Sequence, residues 1–440
     1  MTSGRGLLAP AFLVLAGLLA ASCAGSVSAR TEAVSVVVDL GAARQMMQGF
    51  GTSVRVWSDP HVAKAPGVRV PVVEQRKILR ALYRTAGLTR VRPVLDMGIQ
   101  PSRGAPFNFS GRFVDDHVAY VKQARQFGLR TVFPGPVYLE DWMRPNDPAA
   151  YVDWAMAMLE HWRSRGYELA LYAPLNEPEI ARDFPAGWMH DVVLQLGRRL
   201  RAAGLETKLV IPDDENPKDA YERARAVLDD PAARRYVAAV AYHVYRGNVG
   251  DMIRIRQLAA RYGLPLWMTE YSSESYVSWK SALDWAEKMH TVITQGDVGA
   301  VDYLWGFFGD WVETDTMVSI DFDGGSYRGF SLTPIYWMTG QFSRFVRPGF
   351  RRVSATPDGG AVLASAYRGS GKAVVVVVNT NDRRETTRIR FAGGRLRGPV
   401  TVVRSSERER WRRLPAIRPS TAGFTTTLPP LSVTTFVAKV

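Results

Sequence analysis

The chain has 440 residues, 46% hydrophobic and 22% charged, a balance ordinary for a soluble globular protein and long enough for a large core plus a second domain. Its formal net charge of +14 and pI of about 9.9 come mostly from Arg spread along the sequence. No single basic tract and no nucleic-acid motif accompany that charge, so a nucleic-acid partner is not expected. The spread reads as Arg-favouring codon usage, with attraction to an anionic polymer or lipid surface as the sharper alternative.

The N-terminus reads as an export signal over residues 1–22. Arg5 supplies the positive start, Leu7 to Ala21 the apolar core, and small residues follow. That core is too short for a comfortable membrane span. Two cleavage patterns compete. Ala20-Ala-Ser-Cys23 resembles a bacterial lipobox, with Ala20 where leucine is usual, and would leave a lipidated Cys23 at the mature N-terminus. Val27-Ser-Ala29 resembles an ordinary signal-peptidase site. Cys23 is the only cysteine, so no disulfide can form within the chain. The expectation is an exported protein, extracellular or a cell-surface lipoprotein, with membrane attachment through Cys23 and a monomeric state by default.

Val34–Asp39 reads as a β-branched strand. From Met46 to residue 346 the pattern alternates. Counting Met46–Phe50 as the first, apolar strands recur at Leu88–Leu95, Leu129–Pro134, Glu168–Leu175 and Lys208–Pro212, then at Val237–His243, Leu264–Thr269 and Ala300–Phe307. Amphipathic helices fall between them. The clearest has Asp147 as N-cap and Pro148 in its first turn, with Tyr151, Trp154, Ala155, Met158, Leu159 and Trp162 at helical spacing. Another carries Ala282, Trp285, Ala286, Met289, Val292 and Ile293, and a last one starts at Thr333-Pro334 and runs to Phe345. These aromatic stripes read as core packing. Eight strand–helix units predict an α/β fold, a parallel (β/α)8 TIM barrel over residues 46–346.

After Arg347-Pro-Gly349 the texture changes to short strands: Val362–Tyr367, Ala373–Val378, Thr386–Phe391, Val400–Arg404, Thr425–Thr427 and Ser432–Val437, with a hairpin turn at Gly369-Ser-Gly371. Residues 347–440 are therefore expected to form a β-sandwich side domain, completed by residues 32–45. The run Arg404 to Arg413 reads as a solvated turn face, with an anionic-polymer contact as the alternative.

Two apolar runs stop at a carboxylate: Ala173-Pro-Leu-Asn-Glu-Pro-Glu179 and Leu266-Trp-Met-Thr-Glu-Tyr271. In a barrel the strand tips share one mouth, so Glu177 and Glu270 can meet although 93 residues lie between them. Other tips add Arg92, Trp142, Asn176, His243, Tyr245 and Trp305. A charged or amphipathic group at nearly every tip is hard to explain as packing. Two carboxylates with separated proton affinities are what glycosidic hydrolysis requires. Glu270 is the better nucleophile, because Arg92 would keep it charged and Tyr245 would donate to it. Glu177 is then the acid/base: the charge on Glu270 favours its protonated form before attack, and loss of that charge on ester formation lets it act as a base. Asn176 is placed for the sugar 2-hydroxyl, and Trp142 and Trp305 offer apolar faces for the ring.

Gln48-Gly-Phe-Gly51, Leu175-Asn-Glu-Pro178, His243-Val-Tyr245, Trp267-Met-Thr-Glu270 and Phe342-Ser-Arg-Phe-Val-Arg-Pro-Gly349 together resemble glycoside hydrolase family 30, over residue 34 to the C-terminus. The resemblance implies a barrel with an attached β-sandwich and retaining hydrolysis of β-glycosides without a metal or cofactor. It places the acid/base on Glu177 and the nucleophile on Glu270. Two stretches depart from the usual pattern. Gly51-Thr-Ser-Val-Arg-Val-Trp57 looks more like members acting on β-1,6-galactan, and Gly135-Pro-Val-Tyr-Leu-Glu-Asp-Trp142 is altered at the end of strand three. The polysaccharide or oligosaccharide substrate is thus left open among β-1,6-galactan, β-1,6-glucan and xylan types.

Two other readings compete. A carbohydrate-binding lipoprotein on the same scaffold, catalytically inactive, is opposed by the presence of both carboxylates and Asn176. A metal-dependent hydrolase is opposed by only six His residues and no His-x-x-x-His or paired-Asp cluster near the tips.

Overall fold

A computed structural model of the chain describes residues 33–59, 62, 69–95, 98–181, 184–273, 277–309, 316–360 and 362–440. The expected export signal and Cys23 lie outside the described residues.

Eight parallel strands build the barrel: Gly49–Val54, Arg90–Leu95, Thr131–Val132, Leu171–Tyr172, Lys208–Asp214, Val237–His243, Leu266–Glu270 and Ala300–Gly309. The hydrogen-bonded order runs third, second, first, eighth, seventh, sixth, fifth, fourth. The third and fourth strands, the shortest, close the circle through two bonds instead of a ladder: Ala173 N donates to Pro134 O at 2.9 Å and Asn176 N to Pro136 O at 3.0 Å. Gly135 permits that approach, since a Cβ there would stand 2.9 Å from the Ala173 carbonyl oxygen. Each strand is followed by a helix, from Val72–Leu79 after the first to Pro334–Ser343 after the eighth.

The helical stripes pack as expected. Asp147 caps Pro148–Ser164 by accepting from Ala150 N, and Trp154, Trp162 and Trp285 are fully buried. Trp279–Thr294 carries a capping box between Ser278 and Ser281.

Several boundaries differ from expectation. The first barrel strand begins at Gly49, because Met46 ends an outer strand, Val34–Met46, that bulges twice and runs on past Asp39. The fifth strand passes Pro212 and ends at Asp214. A hairpin, Thr316–Asp323 with Ser326–Leu332, extends the barrel sheet beyond the eighth strand.

The second sheet has nine strands. It joins Val34–Met46 to Arg351–Pro357, Leu363–Gly369, Lys372–Asn379, Glu385–Ala392, Arg397–Ser406, Glu409–Ile417, Phe424–Leu428 and Ser432–Lys439. Val34–Met46 runs antiparallel to Arg351–Pro357 and parallel to Glu385–Ala392. The sheet curls over itself: Phe424, on one edge strand, sits 5.2 Å from Phe436, six places away in strand order. The Ser370-Gly371 turn has positive φ at both residues, the geometry a two-residue hairpin favours.

Lys372–Asn379 is apolar at successive positions because both of its faces are covered. Ala373, Val375 and Val377 enter the core inside the curl, while Val374, Val376 and Val378 join the barrel's core cluster. Arg404 to Arg413 departs from the expected turn face. Only Glu407 and Arg408 form the turn, the flanking residues pair as strands, and Trp411 turns inward to donate to Trp337 O at 2.7 Å.

Candidate active site

The C-terminal tips of the second, fourth, fifth, sixth and seventh strands meet in one hydrogen-bonded network. Arg92, 1% exposed, is its centre. Nε donates to Ser53 Oγ at 3.0 Å, and Nη1 to Asp213 Oδ2 at 2.8 Å and to Asn176 Oδ1. Nη2 bonds directly to Glu270 Oε2. The other oxygen of Glu270 accepts from the Tyr245 hydroxyl at 3.0 Å. Both contacts expected for this carboxylate, Arg92 and Tyr245, are thus present.

Glu177 bonds a different partner. His243 Nδ1 lies 2.8 Å from Glu177 Oε1, and its Nε2 lies 3.4 Å from Asp213 Oδ1. Asp213 Oδ1 also accepts from the Thr269 hydroxyl at 2.5 Å. Burial opposes ionisation of Asp213, but Arg92, His243 and Thr269 outweigh it and hold the carboxyl well below the usual carboxylate range. Burial likewise disfavours charge on His243, yet the Asp213 and Glu177 carboxylates on either side of the ring raise its proton affinity above the ordinary imidazole value. His243 was expected only as a substrate contact; the structure places it between two carboxylates.

Glu177 and Asp213 both adopt positive φ, 44° and 63°, a region that residues other than glycine seldom visit. Glu177 N donates to Asp213 O at 2.9 Å, so the two strained tips support each other. Carboxylate oxygens of Glu177 and Glu270 stand within 4.8 Å of one another, with His243 in the same cluster. That trio has the spacing of a cation site but not its chemistry: the Arg92 guanidinium already occupies a Glu270 oxygen, and His243 Nδ1 is engaged with Glu177.

The two tryptophans stand outside this network. Trp305, half-buried, has its ring centre 4.9 Å from that of Phe308, with the Arg55 guanidinium carbon 6.0 Å away. Trp142, also half-buried, donates its indole N–H to Gln100 O at 2.6 Å. Buried Glu140 braces the same loop, accepting from Gly98 N at 2.7 Å and Gln100 N at 3.1 Å.

Sequence reasoning missed Asp213, Thr269 and Ser53. Asp213 had a legible signal, an apolar strand running into an acid, the same pattern that marked Glu177 and Glu270.

Known proteins agree with this architecture. Residues 230–316, which span the sixth strand to the end of the eighth, match the family model described as glycosyl hydrolase catalytic core. A glucuronoxylanase of Bacillus subtilis (strain 168) is 26% identical over 311 residues, covering 68% of each chain. An endo-1,6-β-D-glucanase of Aspergillus fumigatus is 24% identical over 251 residues, 52% of this chain and 49% of that protein. The crystal structure of a family 30 endoxylanase from Clostridium papyrosolvens C71 superposes with a TM-score of 0.74 at 22% identity, covering 92% of this chain and 100% of the other. The barrel, the second sheet and these relatives converge: the chain is a glycoside hydrolase, and its fold is that of the family 30 enzymes it superposes on.

Proposed function

We propose that the protein is a retaining β-glycosidase that cleaves a β-linked polysaccharide by double displacement, with Glu270 as nucleophile and Glu177 as acid/base. The observation that carries this reading is the approach of their oxygens to within 4.8 Å. Retaining enzymes hold their carboxyl groups about 5–5.5 Å apart, whereas inverting enzymes leave roughly 6.5–9.5 Å for an intervening water.

In the first step the Glu270 carboxylate attacks the anomeric carbon. The glycosidic C–O bond breaks, and the leaving oxygen takes the proton of Glu177. In the second, Glu177 removes a proton from water, the oxygen of that water attacks the anomeric carbon, and Glu270 leaves as carboxylate with the configuration retained. Arg92 and Tyr245 keep Glu270 charged and aimed. Asn176 has its oxygen engaged by Arg92, which leaves its NH2 group for the sugar 2-hydroxyl.

The names of two relatives, a glucuronoxylanase and an endo-1,6-β-D-glucanase, support this substrate class. Export fits action on an external polymer. Lipidation at Cys23 belongs to the same proposal; Cys23→Ser would then move the protein out of the membrane fraction. The central test is trapping with a 2-fluoro glycoside carrying an activated leaving group, read by intact mass and peptide mapping. An adduct on the peptide containing Glu270 is the expected result. No adduct with any sugar, together with no hydrolysis of glucuronoxylan, β-1,6-glucan or β-1,6-galactan, would favour a carbohydrate-binding role instead.

A further inference from the structure

We infer that Asp213 is a positioning residue that couples the two halves of the site, fixing Arg92 against Glu270 through one oxygen and orienting His243 toward Glu177 through the other. This rests on the roles proposed above for Glu177 and Glu270. The geometry gives Asp213 three separate holds. Oδ2 accepts from Arg92 Nη1 at 2.8 Å, and the same guanidinium bonds Glu270. Oδ1 faces His243 Nε2 at 3.4 Å, and the opposite ring nitrogen is 2.8 Å from Glu177. Its main-chain carbonyl accepts the Glu177 N–H at 2.9 Å. A side chain at the bottom of the network, 0% exposed, thus touches neither the expected sugar position nor bulk water, yet it contacts the partner of each catalytic candidate.

Packing alone does not call for such a residue. A fully buried carboxylate is costly unless its charge is met, and φ at Asp213 is 63°, a strained value for a residue with a side chain. Both costs are answered by bonds that lead toward the reacting groups and not toward the helical shell. Thr269, one residue before Glu270, supplies the remaining donor at 2.5 Å.

The groups facing His243 come from each surrounding strand. Asp213 lies on the fifth, Glu177 on the fourth and Glu270 on the seventh, within the same 4.8 Å cluster. Arg92 on the second acts through Asp213, and Tyr245 stands edge-on with its ring centre 6.1 Å away. Of these, Asp213 is the sealed acid, held in its charged form by Arg92, His243 and Thr269 against the cost of burial. It keeps the imidazolium form available, so that Nδ1–H donates to Glu177 and fixes its direction.

The test replaces Asp213 by Asn, which keeps the volume and removes the charge. Histidine ring NMR is recorded against pH on wild type, D213N and H243Q; the last assigns His243 among the six histidines of the chain. In wild type the His243 signal is expected to titrate above the ordinary imidazole value, and in D213N to fall well below its wild-type position. On an activated aryl glycoside kcat should drop about 100-fold while KM changes little, as expected for lost aim and not lost binding. If D213N does not fold, Thr269→Val, which removes only one donor to Asp213, should show the same two changes in smaller measure. A folded variant with wild-type kcat and an unmoved His243 titration would overturn the inference. A wild type without glycosidase activity but with the NMR coupling intact would overturn the functional reading and leave the positioning network standing.

Discussion

Glu177 and Glu270 enter the barrel mouth from the fourth and seventh strands and present oxygens within 4.8 Å of each other. Their partners are different: Glu270 is bonded by Arg92 and Tyr245, Glu177 by His243. Two carboxylates at one place with separate partners are the arrangement that the proposed acid and nucleophile need. Glu270→Ala should therefore reduce hydrolysis by roughly 10⁴-fold or more. Azide should restore turnover and give an inverted glycosyl azide. Glu177→Ala should lose about 10²–10⁴-fold on poor leaving groups and much less on activated aryl glycosides. Steady-state rates on a leaving-group series check this, and equal losses across the series for Glu177→Ala would remove it from the acid role.

The same network sets a pH dependence of stability. His243 holds its proton more tightly when folded than the unfolded reference of about 6.5. Its contribution is complete below that reference and is lost as pH rises through the raised folded value. Melting temperatures of wild type and His243→Gln should thus differ most below the unfolded reference of about 6.5 and converge as pH rises past the raised folded value. Asp213 works at the other end. Its folded proton affinity is depressed, so its contribution is present above about 3.9 and disappears as pH falls through the folded value. A Tm gap that widened toward alkaline pH would contradict the direction assigned to His243.

Gly340 and Trp411 join the barrel to the outer sheet. A Cβ at Gly340 would meet Trp411 Cζ2 at 1.9 Å, so the last barrel helix accepts the indole only because this position has no side chain. Gln341 Nε2 bonds Ser405 Oγ at 2.7 Å and Thr435 Oγ1 bonds Gln341 Oε1 at 2.7 Å, which pins the same helix face and leaves little room to shift. Gly340→Ala should destabilise by about 1–3 kcal/mol. Adding Trp411→Leu should cost less than the sum of the two single changes, because both act on one contact. Thermal unfolding of the two single variants and the double variant measures that coupling.

The strand tips were legible because a buried parallel strand is apolar along its length and turns polar only where it opens; Glu177, His243 and Glu270 each end such a run. Asp213 was lost because Pro212 read as a strand end, when the fifth strand in fact continues to Asp214. Trp411 was misread for another reason. Arg410, Arg412 and Arg413 surround it in sequence and imply solvent, but only the fold brings Gly340 beneath the indole. The first barrel strand slipped three residues because Val34–Met46 is one bulged strand of the other sheet, and no local pattern says where an outer strand hands over to an inner one. The period of hydrophobicity thus reveals which residues reach the mouth, while contacts between distant elements decide what each one touches.

Arg90 and Asp302 form a second buried pair lower in the barrel, both side chains at 0% exposure, with Arg90 Nε 3.1 Å from Asp302 Oδ1 and Nη2 3.1 Å from Oδ2. Arg90 Nη1 has no hydrogen-bond acceptor among the described residues. The guanidinium instead lies 4.0 Å from the Trp267 ring centre and 5.0 Å from that of Phe133, whose π faces partly replace the missing acceptor. Removing one partner should leave the other charge buried and unmatched. Arg90→Met or Asp302→Leu alone should therefore destabilise by about 3–5 kcal/mol. Replacing both together should recover most of that loss, since an apolar pair of similar volume needs no charge compensation in a site walled by aromatic rings. Denaturant midpoints for the two single variants and the double variant decide the matter. A double variant as unstable as the worse single one would mean that Arg90 holds the barrel through its stacking on Trp267 and not through Asp302.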